Sequence, residues 1–277
     1  MTRVSSLSLA CLAMSLAARA ASAGPPPVVV QGAMELEIAR LVSRLDHVEI
    51  ETLGGWTFWR GRVDGYPVVL SKTLKGMANT AAATALAVER YRPIAILNQG
   101  TAGGHDPGLH VYDIVLGTSA VSLAAFKSPY RPAGAGSSPL DWKPLALMAS
   151  EGSAGNDPRE HSVARFPGDA ALLSAARSVK QTYTKGRVVE GVIGSSEIWN
   201  DELDLIASYR SRYGTSVEEM ETASAAQVAG LLKVPFLGIR VVSNNITSGE
   251  GYDPKTGEAC EEYVYEVVRA YVRTLKR

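Results

Sequence analysis

The chain has 277 residues, with 28 lysines and arginines against 28 aspartates and glutamates, so its formal net charge is zero. This length suits one large α/β domain or two small ones. Because the charges balance, no overall field draws the protein towards nucleic acid or an anionic membrane surface. The composition argues against a polyanion-binding protein and favours one that takes a small molecule into a pocket.

The first 23 residues have the pattern of a secretory signal peptide. Arg3 supplies the positive start, residues 4–18 are apolar or small, and Ala21-Ser22-Ala23 fits a small-x-small cleavage site. The apolar stretch is too short and too rich in Ala and Ser for a membrane span. We predict cleavage after Ala23, leaving a periplasmic or secreted domain, residues 24–277, without stable membrane association. An uncleaved leader and a lipid attached to Cys11 are the alternatives.

The cysteines and histidines indicate neither a disulfide nor a metal site. After cleavage only Cys260 remains, so the core must hold the fold without a cross-link. The four histidines are not spaced like metal ligands. His105 and His110 stand in a loop with Gly and Pro, where a loop role fits better than a ligand pair. We expect no metal and no organic cofactor.

The elements predicted in chain order alternate between strands and helices. In the first half, short apolar or alternating runs predict strands, with a hairpin around Asp64-Gly65, and helical apolar spacing predicts helices. The strands are expected over residues 28–30, 56–60, 67–70, 94–97 and 113–116, and the helices over residues 34–45 and 76–89.

Residues 127–168 interrupt this pattern, because they are rich in Pro, Gly and Ser and lack clear periodicity. We interpret them as a long loop with some local structure, which serves as a lid or a contact surface. Beyond it, the pattern predicts strands over residues 188–193 and 234–242, and helices over residues 169–182, 202–213, 222–232 and 261–275.

Short strands alternating with helices predict an α/β fold with one mixed sheet flanked by helices. In such sheets ligands gather at the carboxyl ends of strands. Four predicted strand ends carry polar, Gly-rich or acidic loops, namely residues 31–37, 99–104, 194–200 and 243–247. Their convergence predicts an enzyme-like pocket.

The most informative stretch is Val217-Glu218-Glu219-Met220-Glu221, which directly precedes an Ala-rich helical run. Three carboxylates in four residues repel one another and lose hydration when buried. A solvated helix start, where acids suit the positive end of the helix dipole, is the simple interpretation. A carboxylate cluster in the predicted pocket is the functional one.

Three blocks in this order resemble the nucleoside phosphorylase superfamily, and most closely its 5′-methylthioadenosine/S-adenosylhomocysteine nucleosidases. They are Gly32-Ala33-Met34-Glu35-x-Glu37, then Asn98-x-Gly100-Thr101-Ala102-Gly103-Gly104 with Asp113-Ile114-Val115, and the acidic stretch at 217–221. The resemblance runs from about Val28 to the C-terminus. It implies a three-layer α/β/α sandwich, usually a homodimer, that cleaves the N-glycosidic bond of a purine nucleoside.

The resemblance also implies residue roles. Glu37 would orient or deprotonate the attacking water, and Arg240 would position that water or the Glu37 carboxylate. Glu221 would accept hydrogen bonds from the ribose hydroxyls. The other positions implied to bind substrate are Thr101, where a Ser is usual, the neighbouring Ala102 and Gly103, Ile198 and Trp199 around the base, Glu219, Met220 against the sugar, and Ser243.

Two departures from the family pattern bear on the reaction. Residues 31–36 contain no Arg, so a phosphate dianion meets little positive charge and water is the favoured nucleophile. Asn244 stands where the nucleosidases place an Asp that protonates N7 of adenine. An amide donates a hydrogen bond but delivers no proton. Asn245 and Glu250 are candidates to compensate for the missing acid.

The leading hypothesis is therefore a purine nucleosidase of the methylthioadenosine/S-adenosylhomocysteine type. A futalosine-type hydrolase or a purine nucleoside phosphorylase is the first alternative, since Ser-Asn at 243–244 also resembles enzymes of 6-oxopurines. A protein of the same fold that binds or stores nucleosides without catalysis is the second.

Overall fold

The computed structural model describes residues 24–148, 159 and 161–276. The predicted leader, residues 1–23, lies outside the described residues, and so do residues 149–158 and 160 of the Pro-, Gly- and Ser-rich segment. Across the described ranges, no helix has the length and apolar character needed to span a bilayer.

Strands follow one another through the described chain in three groups. The first group is β1 (Val28–Gly32), β2 (Asp46–Leu53), β3 (Trp56–Val63), β4 (Tyr66–Lys72), β5 (Ala95–Gly104) and β6 (Ile114–Ser122). Strands of two residues follow, β7 (Phe126–Lys127), β8 (Lys143–Pro144), β9 (Leu147–Met148), β10 (Ser162–Val163) and β11 (Phe166–Pro167). The last group is β12 (Val188–Ser195), β13 (Thr215–Glu219) and β14 (Phe236–Asn244).

The α-helices lie between these strands and after the last of them. They are α1 (Ala39–Val42), α2 (Met77–Tyr91), α3 (Ala170–Ser178), α4 (Leu203–Tyr213), α5 (Thr222–Leu231) and α6 (Thr256–Leu275). Three 3-10 turns accompany them, at Glu35–Glu37, Pro139–Asp141 and Lys180–Thr182.

The main sheet is mixed and partly closed. Its strand order is β11-β6-β12-β13-β5-β1-β4-β3-β2, with β14 paired to both β5 and β6. Strand β14 runs parallel to β5 and antiparallel to β6. Because β6, β12, β13 and β5 are also paired in series, these strands and β14 form a ring. The ring brings chain segments that are far apart in sequence to one place.

Helices cover both faces of the sheet, which confirms the predicted three-layer α/β/α sandwich. Alternate residues of β1 enter different cores, since Val28 and Val30 pack with α1, α3 and α6 whereas Val29 packs with α2 and α5. This is the period of two expected for a strand that is buried on both faces. Strands β4 and β5 alternate in the same way, with Val69 and Ile96 in the second core and their neighbours Val68, Leu70, Ala95 and Leu97 in the first.

Residues 34–45 do not form the single helix that their apolar spacing predicts. They form a 3-10 turn at Glu35–Glu37 and the four-residue helix Ala39–Val42. The carbonyl of Glu37 accepts a hydrogen bond from the side chain of Gln99, which diverts it from the helical ladder. The Glu37 carboxylate bonds back to the two N–H groups before the turn, at 3.1 Å each. A tertiary contact therefore overrides the local helical pattern.

Besides the two-residue strands β7 to β11, the sequence-based prediction misses two longer strands, β2 and β13. Strand β2 lies at the outer edge of the sheet and most of its residues are exposed, so it lacks the apolar alternation of a half-buried strand. Strand β13 contains Glu218 and Glu219, which suggested a solvated helix start, yet both side chains are buried. Their hydrogen-bond partners come from elsewhere in the chain.

The described part of the segment 127–168 contains local structure, as predicted. Strand β11 pairs with β6 at the edge of the main sheet. The 3-10 turn Pro139–Asp141 lies near α4, where Arg212 donates a hydrogen bond of 2.7 Å to the carbonyl of Trp142. The described part of the segment thus lies beside the ring of strands and against α4.

Candidate active site

A cavity of about 270 Å³ opens at the strand ends of the ring. All four predicted polar loops contribute to its wall, as does the acidic stretch after β13. None of the described residues between 127 and 168 lines it, so the described part of that segment forms no lid here. The predicted site residues that line the cavity are Glu37, Thr101, Ala102, Gly103, Ile198, Trp199, Glu219, Met220, Glu221, Ser243 and Asn244, which leaves Arg240 outside the wall.

Glu37 lines the cavity and is fixed by four hydrogen bonds. Its Oε2 accepts from the backbone N–H groups of Ala33 and Met34, both at 3.1 Å. Its Oε1 accepts from the backbone N–H of Thr101 at 2.9 Å and from the Thr101 hydroxyl at 3.0 Å. Gly100 permits this approach, since a Cβ at that position would lie 2.8 Å from Oε1. The carboxylate is thus immobilised with one oxygen beside a rotatable hydroxyl.

Glu221 lies on the wall next to Met220 and is nearly buried. Its Oε1 accepts a hydrogen bond of 2.9 Å from the N–H of Gly76, which precedes helix α2 with a φ of 98°. Burial, followed by the nearby Glu219 carboxylate, raises the pKa of Glu221 to about 8. A buried carboxylate that pairs with hydroxyl groups of a ligand becomes easier to ionise than in the empty pocket.

Arg240 and Glu219 form a buried ion pair behind the wall. The guanidinium Nε lies 3.0 Å from Glu219 Oε2, and the two side chains are 1% and 2% exposed. The other hydrogen bonds of this guanidinium go to Asn98 and to the carbonyl of Ile239. The resemblance assigned Arg240 to the water or to Glu37, whereas in the structure it holds Glu219.

Glu219 in turn anchors the start of helix α5. Its carboxylate accepts hydrogen bonds from the N–H groups of Glu221 and Thr222, at 3.0 Å for Oε2 in each case. It also accepts one from the Ser195 hydroxyl. Glu219 lines the cavity, but both of its oxygens are engaged by groups of the protein, and it positions Glu221. The resemblance implied a contact with the substrate instead.

Asn244 faces the cavity from the end of β14. Its Oδ1 lies 3.0 Å from the hydroxyl of Ser243, so the amide oxygen is turned to Ser243 and the NH2 group is available to a ligand. Asn245 and Glu250, the candidates to replace the missing acid, do not line the cavity. Asn245 instead holds the carbonyls of Asp106 and Leu109 at 2.8 and 2.7 Å.

The mouth of the cavity is apolar and exposed. Ile198 is 49% exposed and Trp199 is 65% exposed, and the Trp199 ring contacts Tyr252 edge-on at 5.8 Å. Among the described residues, Lys75 is the one lysine or arginine that lines the cavity. Ile198, Trp199 and Tyr252 form an apolar lip that is open to solvent.

His105 and Glu218 both line the cavity and are buried, although neither was predicted as a site residue. His105 was interpreted as a loop residue together with His110, which is exposed and lies 3.3 Å from Glu250. Two signals were present in the sequence. His105 directly follows the block that ends at Gly104, and Glu218 is the first acid of the 217–221 stretch.

Comparison with known proteins agrees with this geometry. The family model of the phosphorylase superfamily matches residues 27–274. The 5′-methylthioadenosine/S-adenosylhomocysteine nucleosidase of Bacillus thuringiensis is 31% identical over 222 residues, which cover 78% of this chain and 85% of the relative.

Solved structures give the same result. The 5′-methylthioadenosine/S-adenosylhomocysteine nucleosidase of Neisseria meningitidis, solved with methylthio-immucillin-A, is 27% identical with a TM-score of 0.69, over 88% of this chain and 99% of that one. A mutant futalosine hydrolase of Helicobacter pylori shares the fold at 18% identity, with a TM-score of 0.70 over 88% and 99% of the two chains. The chain therefore belongs to the phosphorylase superfamily, among relatives that are nucleosidases.

Proposed function

We propose that the protein hydrolyses the N-glycosidic bond of a purine nucleoside and releases the free base. The observation that carries this proposal is the pair Glu37 and Glu221, two carboxylates on the wall of one cavity with different surroundings. Glu37 is fixed by backbone N–H groups beside the Thr101 hydroxyl, and Glu221 is buried beside Met220. Such a pair suits a reaction that develops positive charge on a sugar and consumes a water molecule.

In the proposed reaction Glu221 accepts hydrogen bonds from the two ribose hydroxyls. The bond between C1′ and N9 breaks, its electron pair goes to the base, which takes up a proton from solvent, and the sugar becomes oxocarbenium-like. The carboxylates stabilise that charge. Water bonds to C1′ through its oxygen while Glu37 takes its proton. The Thr101 hydroxyl can turn away from Oε1, which leaves that lone pair for the water.

Water suits this cavity better than phosphate as the nucleophile. A phosphate dianion needs arginines, lysines or several N–H donors. The N–H groups of Ala33, Met34 and Thr101 are already occupied by the Glu37 carboxylate. A second anion next to that carboxylate would be repelled.

Two substrate classes follow from two different observations. The similarity to 5′-methylthioadenosine/S-adenosylhomocysteine nucleosidases favours these two nucleosides as substrates. Asn244, an amide in the place of an acid, favours a nucleoside of a 6-oxopurine such as futalosine, because its NH2 group can donate to the acceptors N7 and O6 of that base. Both classes share the same bond and the same nucleophile.

Export and dimerisation are part of the same proposal. The leader pattern at residues 1–23 supports a periplasmic or secreted enzyme. The exposed apolar lip formed by Ile198, Trp199 and Tyr252 supports a homodimer in which a second copy covers the mouth.

The test is base release, followed by chromatography, from 5′-methylthioadenosine, S-adenosylhomocysteine, adenosine, inosine and futalosine, with and without phosphate. We expect release that does not depend on phosphate. Release that requires phosphate would make the protein a phosphorylase. Binding without any release would identify a nucleoside-binding or storage protein of the same fold.

A further inference from the structure

Glu218 is the acid of the 217–221 stretch that the proposed reaction does not use. Glu218 lines the cavity and is 8% exposed. A carboxylate in such a place loses most of its hydration, so it needs donors from the protein or from a ligand. Glu221 acts in the proposed reaction and Glu219 forms the ion pair with Arg240, whereas Glu218 takes part in neither.

Three side chains hold Glu218 in place. Its Oε2 lies 2.9 Å from His105 Nε2 and 3.0 Å from Asn200 Nδ2, and its Oε1 lies 2.5 Å from the Ser196 hydroxyl. A carboxylate has about four lone-pair positions, so one position on Oε1 is left. The donors therefore fix the side chain and leave it able to accept one more hydrogen bond.

His105 is itself held from two sides, which makes the support rigid. Its Nδ1 lies 2.8 Å from the Thr215 hydroxyl, and its ring stacks on Tyr209 at 6.3 Å. Because a carboxylate only accepts, Nε2 is the atom that donates to Glu218. His105 thus positions the carboxylate, and neither ring nitrogen is free to turn to the cavity.

Glu218 and Asn244 flank one glycine of the cavity floor. In the strand register Gly103 pairs with Glu218 of β13 and with Asn244 of β14. Strands β13 and β14 lie on opposite sides of β5. Strand β14 pairs with one edge of β5, and the other edge pairs first with β1 and then, near its end, with β13. Neighbouring strands are about 4.8 Å apart, so the two flanking backbones are separated by roughly 10 Å. That distance accommodates the width of a purine over Gly103, which has no side chain.

A purine in this place presents different edges to the two residues. If the Asn244 amide contacts N7, the opposite edge, with N1, C2 and N3, faces Glu218. In adenine, N1 and N3 are acceptors, and a carboxylate repels them. A 6-oxopurine carries a hydrogen on N1, and guanine adds an amino group at C2. These are donors that the free lone pair of Glu218 can accept.

We propose that Glu218, positioned by His105, reads the base and selects a purine with a hydrogen on N1, hence a 6-oxopurine nucleoside over its adenine counterpart. This inference rests on the proposed nucleoside hydrolysis and names the base class of its substrate. Asn244 and Glu218 act together, since Asn244 donates to N7 and Glu218 accepts from N1 on the opposite edge.

The test compares kcat/KM for inosine and guanosine with that for adenosine, in the wild type and in Glu218→Gln. The wild type should prefer the 6-oxopurines at least tenfold. A hydrogen bond to a charged group corresponds to about a ten- to hundredfold effect, so Glu218→Gln should lower that preference by about this factor. Glu89→Gln, an exposed acid on α2, is the matched control and should leave the preference unchanged.

A wild-type enzyme that prefers adenosine would overturn the inference. So would an equal loss on all bases in Glu218→Gln, because it would mean that Glu218 only supports the loop with Ser196 and Asn200. If Glu218→Gln does not fold by thermal denaturation, Glu218→Asp keeps the charge but shortens its reach, and it should shift the preference in the same direction.

Failure of the proposed function is a separate result. If no nucleoside releases its base, calorimetric binding of hypoxanthine, guanine and adenine tests the inference without chemistry. Tighter binding of hypoxanthine or guanine than of adenine would support base selection by Glu218, provided that Glu218→Gln reduces this difference. Equal binding of all three, or tighter adenine binding, would contradict it.

Discussion

The Oε1 atom of Glu37 and the hydroxyl of Thr101 lie 3.0 Å apart, although 64 positions separate them in the chain. The same oxygen accepts the backbone N–H of Thr101 at 2.9 Å. This contact fixes the general base of the proposed reaction against the end of β5. It also explains why residues 34–45 do not continue as one helix, because the side chain and carbonyl of Glu37 are both bonded elsewhere.

Glu37→Gln should reduce base release by about a hundred- to ten-thousandfold, the usual range for loss of an acid or base catalyst. The amide has little basicity, and its NH2 group faces N–H donors instead of an acceptor. The measurement is kcat for the best nucleoside, with circular dichroism to check the fold. Glu35→Gln is the control, since this exposed acid pairs with Lys72 and should retain full activity. Full activity in Glu37→Gln would remove the residue from its role.

Glu221→Gln should abolish base release and weaken nucleoside binding, because one amide cannot accept hydrogen bonds from both ribose hydroxyls in the way a carboxylate does. Affinity for the free base should change little, since the contact is with the sugar. The comparison of nucleoside and free-base dissociation constants by calorimetry checks this. An equal loss for both ligands would show that the substitution disturbs the whole cavity.

The raised pKa of Glu221 predicts two pH effects of opposite sign. Its reactive form is the carboxylate, so kcat/KM should rise as pH increases towards about 8. The folded state holds this proton more tightly than the unfolded chain, so Glu221's contribution to the free energy of unfolding falls as pH rises from its ordinary pKa towards about 8. Urea denaturation of the wild type and of Glu221→Gln at pH 4.5 and at about pH 8 measures this change in the free energy of unfolding. A stability difference between them that does not change with pH would contradict it.

Arg240→Met should destabilise the fold by about 3–5 kcal/mol, because it leaves the carboxylate of Glu219 buried without its partner. Activity should fall too, since Glu219 holds the N–H groups that place Glu221. Urea denaturation measures the stability. The double variant with Glu219→Gln should lose less than the sum of the two single losses, and additive losses would argue against a coupled pair.

Asn244→Asp should raise the turnover of adenine nucleosides, because it restores a group able to protonate N7. General acid catalysis contributes about a hundred- to ten-thousandfold, so a gain of tenfold or more is expected if proton delivery limits the rate. Turnover of inosine should not gain in parallel. With a folded variant and no gain on adenosine, N7 protonation would be either supplied elsewhere or not limiting.

Much of the fold was predictable from local patterns. Apolar runs and helical spacing placed β1, β5, β12 and the helices α2, α5 and α6, since these elements are buried on regular faces. The four polar strand ends were also visible, and they do meet at one cavity. The prediction failed for residues 34–45, for β2 and for β13, where long-range contacts or an edge position outweigh the local pattern.

The sequence by itself determined the α/β class, the polar loops at the strand ends and the family resemblance, because these depend on periodicity and on short ordered blocks. Only the tertiary structure decided what each acid of the 217–221 stretch does. Glu219 meets Arg240, Glu221 meets the N–H of Gly76, and Glu218 meets His105. The physical reason is that burial, charge and available lone pairs are set by partners from distant strands, which no local spacing encodes.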